Sequence, residues 1–209
     1  MELPITKRRI RNHLTYAWWQ YVVLVAAAIF GWNLIYTTTR YRSPESLKVE
    51  WYGEGLATLE AQSLLDGLMD ELHETLFPDM EEVGFTSIVY DQTYGSMQIM
   101  IWLAAGQGDL YMLEASRFQS VAGGGTMIDL QPYIDDGTLN VDGIDLTNGY
   151  VTDAETGQTS LLGIPTDSLT WLMEYGVAPD GMVLSVLANG GNIDNTLLLL
   201  QWILQRQAA

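Results

Sequence analysis

The chain has 209 residues, 48% of them apolar, with no cysteine and a formal net charge of −17. That length suits one ordinary domain plus an appendage, and the missing cysteine excludes disulfides, thiolate metal sites, cysteine nucleophiles and a lipidated-cysteine anchor. The charge is lopsided: residues 1–48 hold seven of the nine basic residues and two of the 26 acids, which leaves Arg117 and Arg206 against 24 acids in the body; such a body repels phosphate backbones and argues against nucleic-acid binding.

The first element in chain order is KRRIRNHLTYAWWQYVVLVAAAIFGWNLIYTTTRYR. From Ala17 to Ile35, 19 residues, the only strongly polar side chains are Gln20 and Asn33, close to the ~20 residues a helix needs to cross a bilayer. Trp18, Trp19 and Tyr21 mark one interface, and Trp32 and Tyr36 the other. Four basic residues precede the segment and two follow it, which places the N-terminus in the cytoplasm and the acidic body outside. A cleaved signal peptide wants a shorter apolar core and a small-residue cleavage site, whereas this segment ends in the bulky, basic WNLIYTTTRYR. Gln20 and Asn33 lie near the two ends, as interfacial residues do. The expected plan is a basic cytoplasmic tail (1–15), a transmembrane helix (16–36), a short tether (37–46) and an extracellular domain (47–209).

In the body, Leu47, Val49 and Trp51 alternate with Lys48, Glu50 and Tyr52, which predicts a strand. Over 56–77, Ala61, Leu64, Leu65, Leu68, Met69, Leu72 and Leu76 recur at helical spacing. TSIVYD (86–91) reads as a second strand. Ser96 is placed to cap a helix over 97–105 that Gly106 ends in a left-handed cap. LYMLE (110–114) reads as a third strand, followed by a short helix capped by Ser116 and stopped by Gly123-Gly124-Gly125. Pro132 starts a turn or short helix, 135–160 reads as a long loop or hairpin, and 161–167 and 181–189 as further strands. A last helix is capped by Asn192 or Asp194. The alternation predicts an α/β sandwich with a mainly parallel sheet.

AAGQGDLYMLE (104–114) carries a Gly-x-Gly. A dinucleotide fingerprint needs Gly-x-Gly-x-x-Gly after a strand and before a helix. Here the helix comes first and position 111 is Tyr111, so the glycines read as a helix cap feeding a strand.

The order of helix, AAGQGDLYML, short helix and the segment from Gly125 to Ile134 resembles the first lobe of extracellular solute-binding proteins of bacterial ABC importers, the sugar-binding type. YGEG (52–55), GIPTD (163–167) and GMVLSVLANGGNIDNTLLLLQWIL (181–204) fit the same pattern. The resemblance covers most of 47–204 and implies a single-lobe, periplasmic-binding-protein-like α/β sandwich. Only about 15 residues separate Pro165 from Gly181, too few for the second lobe that the family inserts there. A transmembrane segment stands where the family carries a lipidated cysteine. The resemblance therefore implies a membrane-anchored accessory or binding subunit of an ABC-type carbohydrate importer, with the bilayer, a transporter membrane subunit and a sugar-like ligand as partners. The alternative is an extracellular protein-interaction or sensory module that binds no solute.

Chemistry-bearing residues are sparse. His13 and His73 fall on opposite sides of the expected span and cannot act together; with His73 the one external histidine, any Ser-His-Asp grouping would be arbitrary, and the abundant acids single out no carboxylate pair. DDGTLNVDGIDLTNG (135–149) does not match a calcium-loop pattern. No catalytic residue, metal or cofactor is expected. In open parallel sheets ligands sit beyond the carboxyl ends of strands, which makes Tyr52, Glu54, Asp91, Tyr94, Glu114 and Asp167 the candidate ligand-binding residues. The aromatics could stack on sugar rings, and four carboxylates with no basic residue among the six favour a cation or a polar solute over an anion.

Overall fold

A computed structural model describes residues 7–54, 59–88, 95–153 and 156–206. It divides into two compact units, residues 1–42 and 43–209. In the first, helix α1 (Lys7–Thr39) contains a candidate membrane span, Trp18–Thr39, of 22 residues with none of the apolar window buried. The helix runs past residue 36, where the sequence places the start of a tether, and the threonines explain why. The hydroxyls of Thr37, Thr38 and Thr39 donate to the carbonyls of Asn33, Leu34 and Ile35 at 2.6–3.1 Å. They satisfy their own polarity inside the helix instead of breaking it.

The second unit is a mixed α/β domain. Its elements are β1 (Lys48–Gly53), α2 (Leu59–Thr75), β2 (Glu82–Ser87), α3 (Gly95–Ala105), β3 (Leu110–Glu114), α4 (Ala115–Val121), α5 (Gln131–Asp135), β4 (Tyr150–Thr152), β5 (Thr159–Leu161), β6 (Ile164–Pro165), β7 (Met182–Val186) and α6 (Ile193–Gln205). The main sheet runs β2-β1-β3-β7-β6, and β4 and β5 form a separate hairpin. β2, β1 and β3 are parallel; β7 is antiparallel to β3, and β6 antiparallel to β7. Four of the five strands therefore point the same way, as a mainly parallel sheet requires.

The period-two alternation of strand side chains divides the core between the two faces. Val49, Trp51, Leu110, Met112, Leu184 and Val186 meet Leu65, Met69 and Leu72 of α2 and Leu199, Leu200 and Ile203 of α6. Tyr52, Tyr111, Leu113 and Val183 point to the other face, against Ile99 and Leu103 of α3 and Phe118 of α4. The result is three layers, with helices covering both sides of the sheet.

Several boundaries differ from the sequence reading. The second strand lies at 82–87 instead of 86–91, because all six residues of β1 pair in parallel register with Glu82–Ser87. Residues 89–91 lie outside the described residues. β2 is an edge strand, where Glu82 and Gly84 are tolerated despite their low strand preference. The expected strand 161–167 is split at Gly163, where a Cβ would sit 2.4 Å from Val183 Cγ1 and 2.8 Å from the Phe118 ring. Ser96 and Ser116 lie inside their helices and do not cap them; Asn192 is the N-cap of α6, but its side chain donates to Ser46 O at 3.0 Å. In the loop, Asp136, Asn140 and Asp145 each accept the backbone N–H two residues on, at 2.9–3.0 Å. These local turns build the segment, and among the described residues no cluster of three or more His, Cys, Asp or Glu could hold a metal.

Candidate functional site

The carboxyl ends of β1, β3 and β6 and the start of β7 share one edge of the sheet. Glu54 follows β1 and donates its N–H to Met112 O of β3, Ala115 N–H reaches Gly181 O before β7, and Thr166 N–H reaches Met182 O. Glu54, Glu114 and Asp167, three of the six candidates, therefore stand along that edge.

Glu54 is its centre. The residue is only 4% exposed, and its Oε2 accepts the Glu114 N–H at 2.9 Å and the Arg117 Nε–H at 3.1 Å. Oε1 lies 2.8 Å from the same Nε. Arg117 also donates to Ser96 Oγ at 3.1 Å, which ties α4 to the first turn of α3. Burial pushes the Glu54 carboxyl above the usual carboxylate range, even though the Glu114 N–H and the Arg117 charge both favour its ionised form. Glu114 and Asp167 are exposed. Asp167 Oδ1 accepts the Gly181 N–H at 2.9 Å and fixes the approach of β6 to β7.

Tyr52 is placed differently from these carboxylates. It is 7% exposed, stacked on Tyr111 with centroids 5.3 Å apart and edge-on to Trp102 at 5.1 Å. Burial raises its phenol to about 12. The ring lies in the core layer beneath α3. Asp91 and Tyr94 lie outside the described residues.

Sequence reasoning missed two residues. Arg117 is the only cation between Lys48 and Arg206, and its isolation in so acidic a body was a readable signal. Asp109 sits at the opposite, amino edge of the sheet. Its Oδ2 accepts the Glu50 N–H at 2.9 Å and its carbonyl the Leu187 N–H at 2.9 Å. Its carboxylate also takes the Gly191 N–H. One side chain thus joins β1, β3 and the turn after β7, at 5% exposure. Burial raises its carboxyl to about 6 against those hydrogen bonds, helped by the charges of Glu50 and Glu45. The preceding Gly-x-Gly serves packing. Gly108 has φ +75°, and a Cβ there would meet the Tyr52 ring at 2.4 Å. His73 Nε2 donates to Met80 O at 2.8 Å, which fixes the turn after α2.

Two clefts lie away from the strand-end carboxylates. One, of about 430 Å³, is bounded by Met100, Leu103, Val121, Thr126 and Asn189. The other, of about 330 Å³, is bounded by Asp129, Asp153, Thr156, Gln158 and Ser160. Gly124 and Gly125 border both. Their φ values are +67° and +78°, and a Cβ on either would meet nothing within 4 Å.

No family model matches the chain, and no curated protein matches it in sequence. Among solved structures, it is similar to a family 1 extracellular solute-binding protein from Alicyclobacillus acidocaldarius, with TM-score 0.42 and 16% identity over 61% of this chain and 29% of that one. An ABC substrate-binding protein from Listeria monocytogenes, in complex with cycloalternan, gives TM-score 0.40 and 17% identity over 56% of this chain and 28% of that one. The galacto-N-biose/lacto-N-biose I-binding protein of a Bifidobacterium longum ABC transporter gives TM-score 0.39 and 15% identity over 60% and 29%. The chain thus spans less than a third of each.

Proposed function

We propose that the chain is a membrane-anchored, extracellular binding or accessory subunit of an ABC-type importer, a single solute-binding-like lobe without catalytic chemistry. The observation that carries this reading is the row of Glu54, Glu114 and Asp167 along the carboxyl edge of a mostly unidirectional sheet, where open α/β sheets take their ligands. The Arg117 guanidinium offsets the charge of Glu54. That leaves exposed carboxylates as acceptors for sugar hydroxyls or for a cation. The order of sequence motifs and the span Trp18–Thr39 support the placement beside a transporter in the same membrane.

The test is thermal denaturation of the full chain in a maltose-free, non-glycosidic detergent, screened against mono- and oligosaccharides. A ligand at 100 times its dissociation constant adds ~2.7 kcal/mol. A shift abolished by Asp167→Asn together with Glu114→Gln supports the reading, and a folded chain that shifts with no saccharide refutes independent capture.

A second reading, a protein-interaction module, is favoured by α3. Met97, Met100 and Ile101 are 59–62% exposed on a helix with no charged residue, and such apolar faces mark interaction surfaces. Recovery of a stoichiometric membrane partner that Met100→Glu releases would favour it.

A further inference from the structure

Trp171, Tyr175 and Trp202 form an aromatic cluster at the end of α6. Trp171 and Tyr175 come from the turn of 3-10 helix Thr170–Tyr175, and Trp202 from α6. Trp171 meets Tyr175 edge-on, with centroids 5.7 Å apart and planes at 84°, and Trp202 at 5.8 Å and 89°. These three rings hold one another in a corner-shaped box. The Arg206 guanidinium occupies it, with Cζ 5.1, 5.6 and 5.0 Å from the centroids of Trp171, Tyr175 and Trp202. Among the described residues its side chain donates to Tyr175 Oη at 3.2 Å.

Two further features separate this arrangement from ordinary packing. Arg206 has no carboxylate partner among the described residues, although the body carries 24 acids. Among these residues the three rings and the Tyr175 hydroxyl are what its guanidinium meets. The box also does not depend on Arg206, since the walls are fixed by edge-to-face contacts and by elements packed on the core, whereas Arg206 is the C-cap of α6 on a long, rotatable side chain.

We propose that Trp171, Tyr175 and Trp202 form a binding site for a small quaternary ammonium ion, occupied in the free chain by Arg206 acting as an internal competitor. A quaternary ammonium is weakly hydrated and has no N–H to satisfy, so aromatic faces suffice to bind it. The acidic body concentrates cations at its surface. The site is independent of the strand-end carboxylates.

The test uses the full chain in a maltoside detergent, titrated calorimetrically with tetramethylammonium and choline chlorides against sodium chloride at equal ionic strength. Removing the competitor with Arg206→Gln should tighten tetramethylammonium binding about tenfold, the loss of a set of cation–π contacts. Arg206→Lys should fall between, and Trp202→Leu in the Arg206→Gln background should abolish binding. Far-UV circular dichroism checks each fold; if Trp202→Leu unfolds, Tyr175→Leu replaces it. Glycerophosphocholine distinguishes the source of the ligand: binding equal to choline points to a lipid headgroup, and binding of choline alone to a free solute. The proposal is overturned if Arg206→Gln binds no tighter than the parent, if binding survives loss of the rings, or if sodium chloride gives the same heat.

Discussion

Asp109→Asn separates the cost of a buried charge from the hydrogen bonds that it makes. The Asp109 carboxyl titrates at about 6 in the folded chain against an ordinary value of 3.8. Between these values the native state holds a proton that the unfolded state has released. Stability therefore falls as pH rises through that window and is greatest below it. At about 1.4 kcal/mol per pH unit, the window is worth ~3 kcal/mol. Asparagine imitates the protonated carboxyl but offers one acceptor where two N–H groups, of Glu50 and Gly191, converge. The lost acceptor costs about 1 kcal/mol at any pH. The substitution should thus destabilise by ~1 kcal/mol at pH 4 and stabilise by ~2 kcal/mol at pH 8.

The assay is urea unfolding of the parent and variant domains, followed by tryptophan emission across pH 4–8 in detergent. Glu50 faces Asp109 and is itself raised by burial, with Lys48 opposing and Glu82 and Glu45 reinforcing the shift. Both chains will therefore show some slope, and the difference between them isolates Asp109. A variant less stable than the parent by the same margin at pH 4 and pH 8 would refute the reasoning. It would mean that the backbone N–H groups fully compensate the buried charge.

Other substitutions probe other links. Arg117→Met leaves Glu54 without its cation and should cost ~3–5 kcal/mol at pH 7, with the loss shrinking as the pH falls and the carboxyl protonates; Glu54→Gln in the same chain should recover most of it by urea midpoint. Gly108→Ala forces a Cβ into the Tyr52 ring at positive φ and should cost at least ~2 kcal/mol, read as a lowered Tm with loss of near-UV tyrosine signal. Ala27→Arg, in the middle of the apolar helix, adds ~2.5–3.5 kcal/mol to insertion; alkaline carbonate should release this variant from membranes and leave the parent bound.

Legibility followed burial. α2, β3 and α6 were readable because each has one face or a whole run in the core, as with Leu65, Leu68, Met69 and Leu72. β2 was misplaced because an edge strand buries little: only Phe85 of its six residues is buried, and TSIVYD offered a stronger β-branched signal just beyond it. Gly163 split a strand for a tertiary reason, the approach of Val183 and Phe118, that no local pattern encodes. Among the candidate residues, strand ends alone were enough to locate Glu54, Glu114 and Asp167 on the carboxyl edge. Tyr52 shows the limit of that rule. It is the fifth of the six residues of β1, within the ladder, so the pleat turns its ring into the core layer.

The two ends of the sheet bury a carboxylate in opposite ways, and the proposed site rests on that difference. At the amino edge, Asp109 is held by backbone N–H groups and pairs with no cation among the described residues. Its charge is costly, its oxygens are occupied, and the end is committed to holding β1, β3 and the turn after β7 together. At the carboxyl edge, Glu54 shares its charge with Arg117, and Arg117 reaches on to Ser96. The pair fixes the backbone of Glu114, whose own side chain remains exposed. Exchanging the two arrangements would be self-defeating: an arginine beside Asp109 would need room that Gly190, whose Cβ would lie 3.1 Å from Asp109 Oδ1, already closes off. Only the carboxyl edge combines a rigid, internally neutralised base with exposed acceptors above it. On the proposed reading, that combination would accept hydroxyls or a cation and disfavour an anion.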